Sequence, residues 1–137
     1  MLLGIVHVYA VLIAAIVAMI VGSLWYSRFL FGPQWMRLRG IDPVLAKDTG
    51  FPASKLILEF VYTLVTAFVL GLFAFFLPST VYASVVFALF IWVGFYVPML
   101  LAEVLWENKP FGMFLINSGL RLVNLIAMIL VLALWPR

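Results

Sequence analysis

Cysteine is absent from the 137 residues, so the chain offers no disulfide, no thiolate nucleophile and no thiolate metal site. Histidine occurs once, as His7. A protein metal site needs about three or four convergent ligands, which argues against any metal centre built within the chain. Charge is equally scarce. Charged residues make up 9% of the chain, against about 25% in a soluble domain. What fills the space is apolar: 68% of the residues are hydrophobic. A chain this short cannot hide that excess in one water-soluble core. A soluble enzyme, a disordered regulator and a secreted disulfide scaffold are thereby excluded, and an integral membrane protein is left. The net charge of +3 then bears on topology rather than on nucleic acid, and no nucleic-acid partner is expected.

About 20 apolar residues are needed to cross the hydrocarbon core as a helix. Four segments qualify: residues 2–26, 54–77, 81–106 and 110–135. The expectation is a single membrane domain over 1–137, an all-α bundle of four transmembrane helices. Pro78-Ser79-Thr80 makes a tight turn, and Glu107-Asn108-Lys109-Pro110 a second short connection. Only the loop 27–53 is long. Within it, Gln34 to Arg39 suits a short interfacial helix ended by Gly40. Asp42-Pro43 suits the start of another, over Val44 to Asp48 and closed by Gly50. Ser54 can cap the second membrane helix. The first segment lacks a basic leader and a small-residue cleavage site, so it reads as a retained helix.

The two connections carry Arg28, Arg37, Arg39, Lys47, Lys55 and Lys109, and the opposite side carries only Arg137. The Lys/Arg bias predicts a cytoplasmic membrane protein with these connections inside and both termini outside. Trp25, Tyr26, Trp35 and Trp106 then mark one interface, and Tyr82 and Trp135 the other. A weak repeat links Leu24-Trp25 with Leu105-Trp106, 81 residues apart, and Phe31-Gly32 with Phe111-Gly112, 80 residues apart. It would make a parallel two-plus-two arrangement. The simpler reading is that these are common helix endings and turns.

Charge inside the membrane is costly and defaults to a functional hypothesis. Arg121, Glu103 and Glu59 qualify, all in the half expected to face the cytoplasm, and Asn117 and Asn124 share the Arg121 face. Helix side chains tilt toward the N-terminus, so Arg121 and Glu103, on oppositely running helices, lean toward each other. An Arg121–Glu103 pair is expected, with Glu59 beside it or meeting Lys55. Such a cluster either locks helix order or serves a ligand, and both readings stay open. Pro98, four residues after Gly94, predicts a kink. Ala10, Ala14, Ala18 and Gly22 form a small-residue ridge suited to close packing, within the chain or against another one. His7 is a weak candidate ligand for a haem-like pigment, and an interfacial histidine is the plainer reading. Neither a phosphate loop nor a Ser/His/Asp set is present, so no enzyme and no cofactor is expected.

Gly22-Ser23-Leu24-Trp25-Tyr26-Ser27, Phe31-Gly32 and Trp35-Met36 resemble the N-terminal signature of the bacterial DUF1761 family. So does the later run through Trp92-Val93-Gly94-Phe95, Pro98, Val104 to Pro110, Phe114 to Gly119 and Leu122-Val123. Arg121 falls where that family often has a basic residue, and Leu120 stands in place of an aromatic. The resemblance implies a small four-helix bacterial membrane protein and implies no activity. The expected role is an accessory or assembly subunit, a homo-oligomer or part of a larger membrane complex within the lipid bilayer. The alternative is a carrier or binder of a small or lipophilic molecule at the Glu59/Glu103/Arg121 cluster. An open cavity at that cluster would favour the binder, and a sealed one the accessory role.

Overall fold

The computed structural model describes residues 6–42, 44 and 53–136. The expected helix over Val44 to Asp48, its closing Gly50, and the charges Lys47 and Arg137 involve residues outside that set; Val44 itself is described and lies in a turn. The helices are α1 (Val8–Trp25), α2 (Gly32–Leu38), α3 (Ala53–Ala74), α4 (Val81–Ile91), α5 (Val97–Glu107) and α6 (Phe111–Ala133). A π-helical turn, Trp92–Tyr96, joins α4 to α5, so these three pieces form one continuous rod. Four helical rods, Val8–Trp25, Ala53–Ala74, Val81–Glu107 and Phe111–Ala133, are long and apolar enough to cross a membrane. The rod ends at Trp25, Ala53, Glu107 and Phe111, with α2 and the turn 108–110, lie on one side, called here the loop side. The ends at Val8, Ala74, Val81 and Ala133 lie on the far side.

The sequence sets most helix ends locally. Thr80 is extended and its Oγ1 accepts the Ala83 N–H at 3.1 Å, capping α4. Pro33 occupies the first turn of α2, where its missing N–H is not needed. Gly40, at φ +79°, ends α2: Ile41 N–H reaches Met36 O at 2.8 Å and Gly40 N–H reaches Arg37 O at 3.0 Å. That is a Schellman closure, which needs a left-handed residue. Ser54 stands within α3 rather than at its cap, because Ala53 is already helical.

The expected kink at Gly94 and Pro98 takes the form of the π turn. Pro98 has no N–H to give to the carbonyl four residues back, and its ring crowds that carbonyl. The chain widens by one residue per turn, and Val97 N–H bonds Trp92 O instead.

Helix α6 is the hub: α1, α3, α4, α5 and the π turn all pack on it, and α1 also packs along α3. The core lies toward the far side. It joins Ala10, Ala14, Ala15 and Ala18 of α1 to Ala67, Leu70 and Ala74 of α3 and to Leu125, Met128, Ile129, Leu132 and Ala133 of α6. Small side chains let these backbones approach, and dispersion contact between them is what drives association in lipid. The ridge Ala10, Ala14 and Ala18 is therefore consumed inside the chain. Gly22, its last member, is half-buried with open space around its Cα. Gly71 of α3 is a true contact glycine, since a methyl there would meet the Val6 side chain at 3.1 Å.

This packing favours the simpler reading of the repeat over the two-plus-two arrangement. A two-fold relation would make α3 pack along the third rod as closely as α1 packs along α6. Instead the third rod rests on α6, and its ring contact with α3 is Phe73 on Phe87, at 5.6 Å. The repeated Leu-Trp endings differ too: Trp25 is half-buried, whereas Trp106 is 80% exposed.

Candidate functional site

Three local features of the sequence converge at the loop side. The first is the turn after α1. Tyr26 N–H bonds Gly22 O at 3.2 Å, Phe31 N–H bonds Trp25 O at 2.9 Å, and Gly32 N–H bonds Ser27 O at 3.0 Å. Gly32 is buried against this turn, and a methyl on it would strike the Tyr26 carbonyl oxygen and lie 2.7 Å from Ser27 O. The glycine lets α2 fold back under α1, which carries Trp35 and Arg39 over the bundle. The Arg39 guanidinium stacks on the Trp35 ring, 4.8 Å from its centroid, and Trp35 meets Tyr26 edge-on at 5.6 Å.

The second feature is α6, whose first half holds two tryptophans. Trp25 Nε1–H donates to Ile116 O at 2.9 Å, and Trp92 Nε1–H donates to Ser118 O at 2.8 Å. Gly119 makes room for the Trp25 ring, which lies 3.0 Å from where a methyl would sit. Trp25 was expected at the lipid interface; its indole is turned inward by this bond. Between the acceptor residues Ile116 and Ser118 in sequence, Asn117 Oδ1 accepts from Tyr26 O–H at 2.6 Å.

The third feature is the turn after α5. Asn108 adopts the left-handed conformation, φ 54°. That bends Lys109 back over α5, where its ammonium reaches Glu103 Oε2 at 3.0 Å and Glu107 Oε2 at 3.2 Å. These two carboxylates, Glu103 foremost, hold the Lys109 pKa above the ordinary lysine value.

Together these elements enclose a half-open cavity of about 500 Å³. Tyr26 forms one wall, α2 contributes Gly32, Trp35 and Met36, and Arg39 just past its end. Leu100 and Glu103 of α5, Lys109, and Met113, Asn117 and Arg121 of α6 complete it. The size falls in the range of about 300–1,000 Å³ usual for small-molecule sites. Two other grooves, one between α1 and α3 and one beneath α2, are lined almost entirely by apolar groups.

The structure thus brings together Arg121, Glu103 and Asn117, but not as the expected ion pair. Glu103 is engaged by Lys109, which the turn at Asn108 brings closer than the long reach to Arg121. Arg121 is exposed to the cavity and has no hydrogen bond or ion pair among the described residues. Glu59 lies outside the cavity on the exposed side of α3, without an ion pair to Lys55. Burial raises the pKa of the Tyr26 hydroxyl, and the charges of Arg121 and Glu59 act on it in opposite senses, Arg121 lowering it and Glu59 raising it. Asn124 is not in the cavity wall, and its Oδ1 is buried without a hydrogen-bond partner among the described residues. His7 is exposed at the far end of α1, remote from the cavity.

Sequence reasoning missed Tyr26, Lys109, Trp35 and Arg39 as members of this site. A signal existed for Lys109: a left-handed Asn108 after a helix end commonly returns the next side chain to that helix.

No curated protein and no solved structure matches the chain. Residues 9–133 match the family described as "Protein of unknown function (DUF1761)". The match covers the first membrane-length rod from Tyr9 onward, the other three whole, and every residue of the cavity, and the chain belongs to the DUF1761 family.

Proposed function

We propose that this protein is a non-enzymatic membrane protein that binds a small or lipophilic molecule in the loop-side cavity. The observation that carries the reading is Arg121. It stands ten residues after Phe111, or about 15 Å along α6 at 1.5 Å per residue. An arginine at such depth is expensive to keep without a partner. Here it faces an open cavity instead of a carboxylate, beside a tyrosine–asparagine hydrogen bond. The accessory role drew its support from the alanine ridge, and that ridge is occupied by α3 and α6.

The binder reading is tested by native mass spectrometry of the protein released from mild detergent. Leu100→Trp fills the cavity from α5. A bound mass that co-purifies with the wild type and is lost from the variant supports the proposal. A wild type that carries nothing, or a variant that keeps the mass, rejects it.

Orientation is part of the same proposal: the cavity opens toward the cytoplasm of the membrane's inner face, because the basic residues gather on its side. Single cysteines, Leu45→Cys and Ser79→Cys, read this out with an impermeant thiol reagent added from outside. Labelling at 79 alone fits; labelling at 45 alone inverts the topology.

A further inference from the structure

We infer that the cavity takes a phosphate-class anion, with Arg121 as its principal ligand. The inference rests on the cavity being a binding site and adds the chemistry of what enters it.

Charge is the first argument. Arg39, Lys109 and Arg121 line the cavity against a single carboxylate, Glu103. Glu103 is not available to Arg121, since Lys109 holds it at 3.0 Å. Lys109 is itself held between two carboxylates, with Glu107 at 3.2 Å beside Glu103. The cation left over is Arg121, and its five N–H donors find no acceptor among the described residues. Arg39 uses its flat face on Trp35, which leaves the guanidinium edge free to donate.

Geometry is the second. A guanidinium presents a planar fork that matches two phosphate oxygens at once. Asn117, which also lines the cavity, adds to it: its Oδ1 accepts from the Tyr26 hydroxyl, and its amide nitrogen has no acceptor among the described residues and is left to donate. A neutral ligand would leave the Arg121 charge uncompensated, and a cation would be repelled by it. The cavity is also far larger than one bare anion, and Leu100, Met36 and Met113 line its remainder with apolar surface. A phosphate ester carrying an apolar tail fits both halves, and a lipid headgroup and a soluble phosphate share the anionic part.

The test uses the full chain in a maltoside detergent and calorimetric titration with dihexanoyl phosphatidylglycerol. Dihexanoylglycerol, which has the same tails without the phosphate, is the comparison. The wild type is expected to bind the phosphatidylglycerol saturably and at least about tenfold more tightly than the diacylglycerol, a factor that one charge-assisted contact supplies. Arg121→Gln removes that margin, Arg121→Lys keeps part of it, and Lys55→Gln, a charge outside the cavity, keeps all of it. If Arg121→Gln fails to fold, Arg39→Gln on the rim takes its place, with a smaller loss expected. Displacement of the phosphatidylglycerol by inorganic phosphate at millimolar concentration assigns the site to soluble phosphates; resistance to displacement assigns it to the lipid. Equal losses in Arg121→Gln and Lys55→Gln overturn the inference, because binding is then general surface attraction. Equal affinity for both dihexanoyl ligands overturns it too, while the cavity remains a binding site. Absence of binding by either ligand removes both.

Discussion

The two halves of the bundle solve the same packing problem differently. On the far side, α1, α3 and α6 meet through Ala14, Ala67, Ile129 and Ala133, each fully enclosed. On the loop side the same α6 is held by indole and hydroxyl donors from Trp25, Trp92 and Tyr26, and the space between is open. Close packing of methyl groups leaves no room for a ligand and has no polar group to offer one. Holding the helices apart on directional bonds does both. The π turn separates the halves along the third rod, and α4 above it is more deeply packed on α6 than α5 below it.

The sharpest break of this contrast is Ala14→Leu. Three added methyl-sized groups at an enclosed site force the backbones apart, with a cost of about 3 kcal/mol. Thermal melts in detergent should show the largest loss of any single change considered, and a melting temperature equal to wild type would mean that the far-side half is loosely packed.

Trp25→Phe tests the other half. An aromatic ring stays, smaller than the indole, and Ile116 O loses its donor, which together cost at least about 1 kcal/mol. Trp92→Phe should cost a similar amount through Ser118 O, and the two losses should add, since the donors come from separate rods. Strong non-additivity in the double variant would show that the two indoles act as one unit.

Arg121→Gln should leave stability within about 0.5 kcal/mol of wild type, because no internal partner is lost. A loss of several kcal/mol on melting would reveal an internal ion pair and contradict the open cavity.

The smallest effect is one of pH. The Lys109 pKa is raised in the folded protein by its bonds to Glu103 and Glu107. Its stabilisation is therefore complete below the ordinary lysine value, about 10.4, and is lost as pH rises through the higher folded value. Melting temperature should fall more steeply above that pH in the wild type than in Lys109→Met, and parallel curves would remove the pair from the account.

Much of the fold was legible because its causes are local. Length and hydropathy mark four rods, Gly40 marks the end of the short helix, and Pro98 marks a break. The site was legible only in its members on α5 and α6. Glu103, Asn117 and Arg121 stand out because polar groups are rare there. Tyr26 and Trp25 did not, since an aromatic at a helix end serves an interface or an interior bond equally well.

The sequence by itself determined that this chain carries four helices long and apolar enough to span a membrane, and that charge sits within their loop-side half. These follow from composition and period, which every residue carries with it. The tertiary structure alone decided the partners. Side-chain tilt brought Arg121 and Glu103 to one cavity, but the left-handed turn at Asn108 gave Glu103 to Lys109 first. An ion pair is chosen by which cation arrives nearest in three dimensions, and that depends on turns and helix spacing that no residue specifies alone.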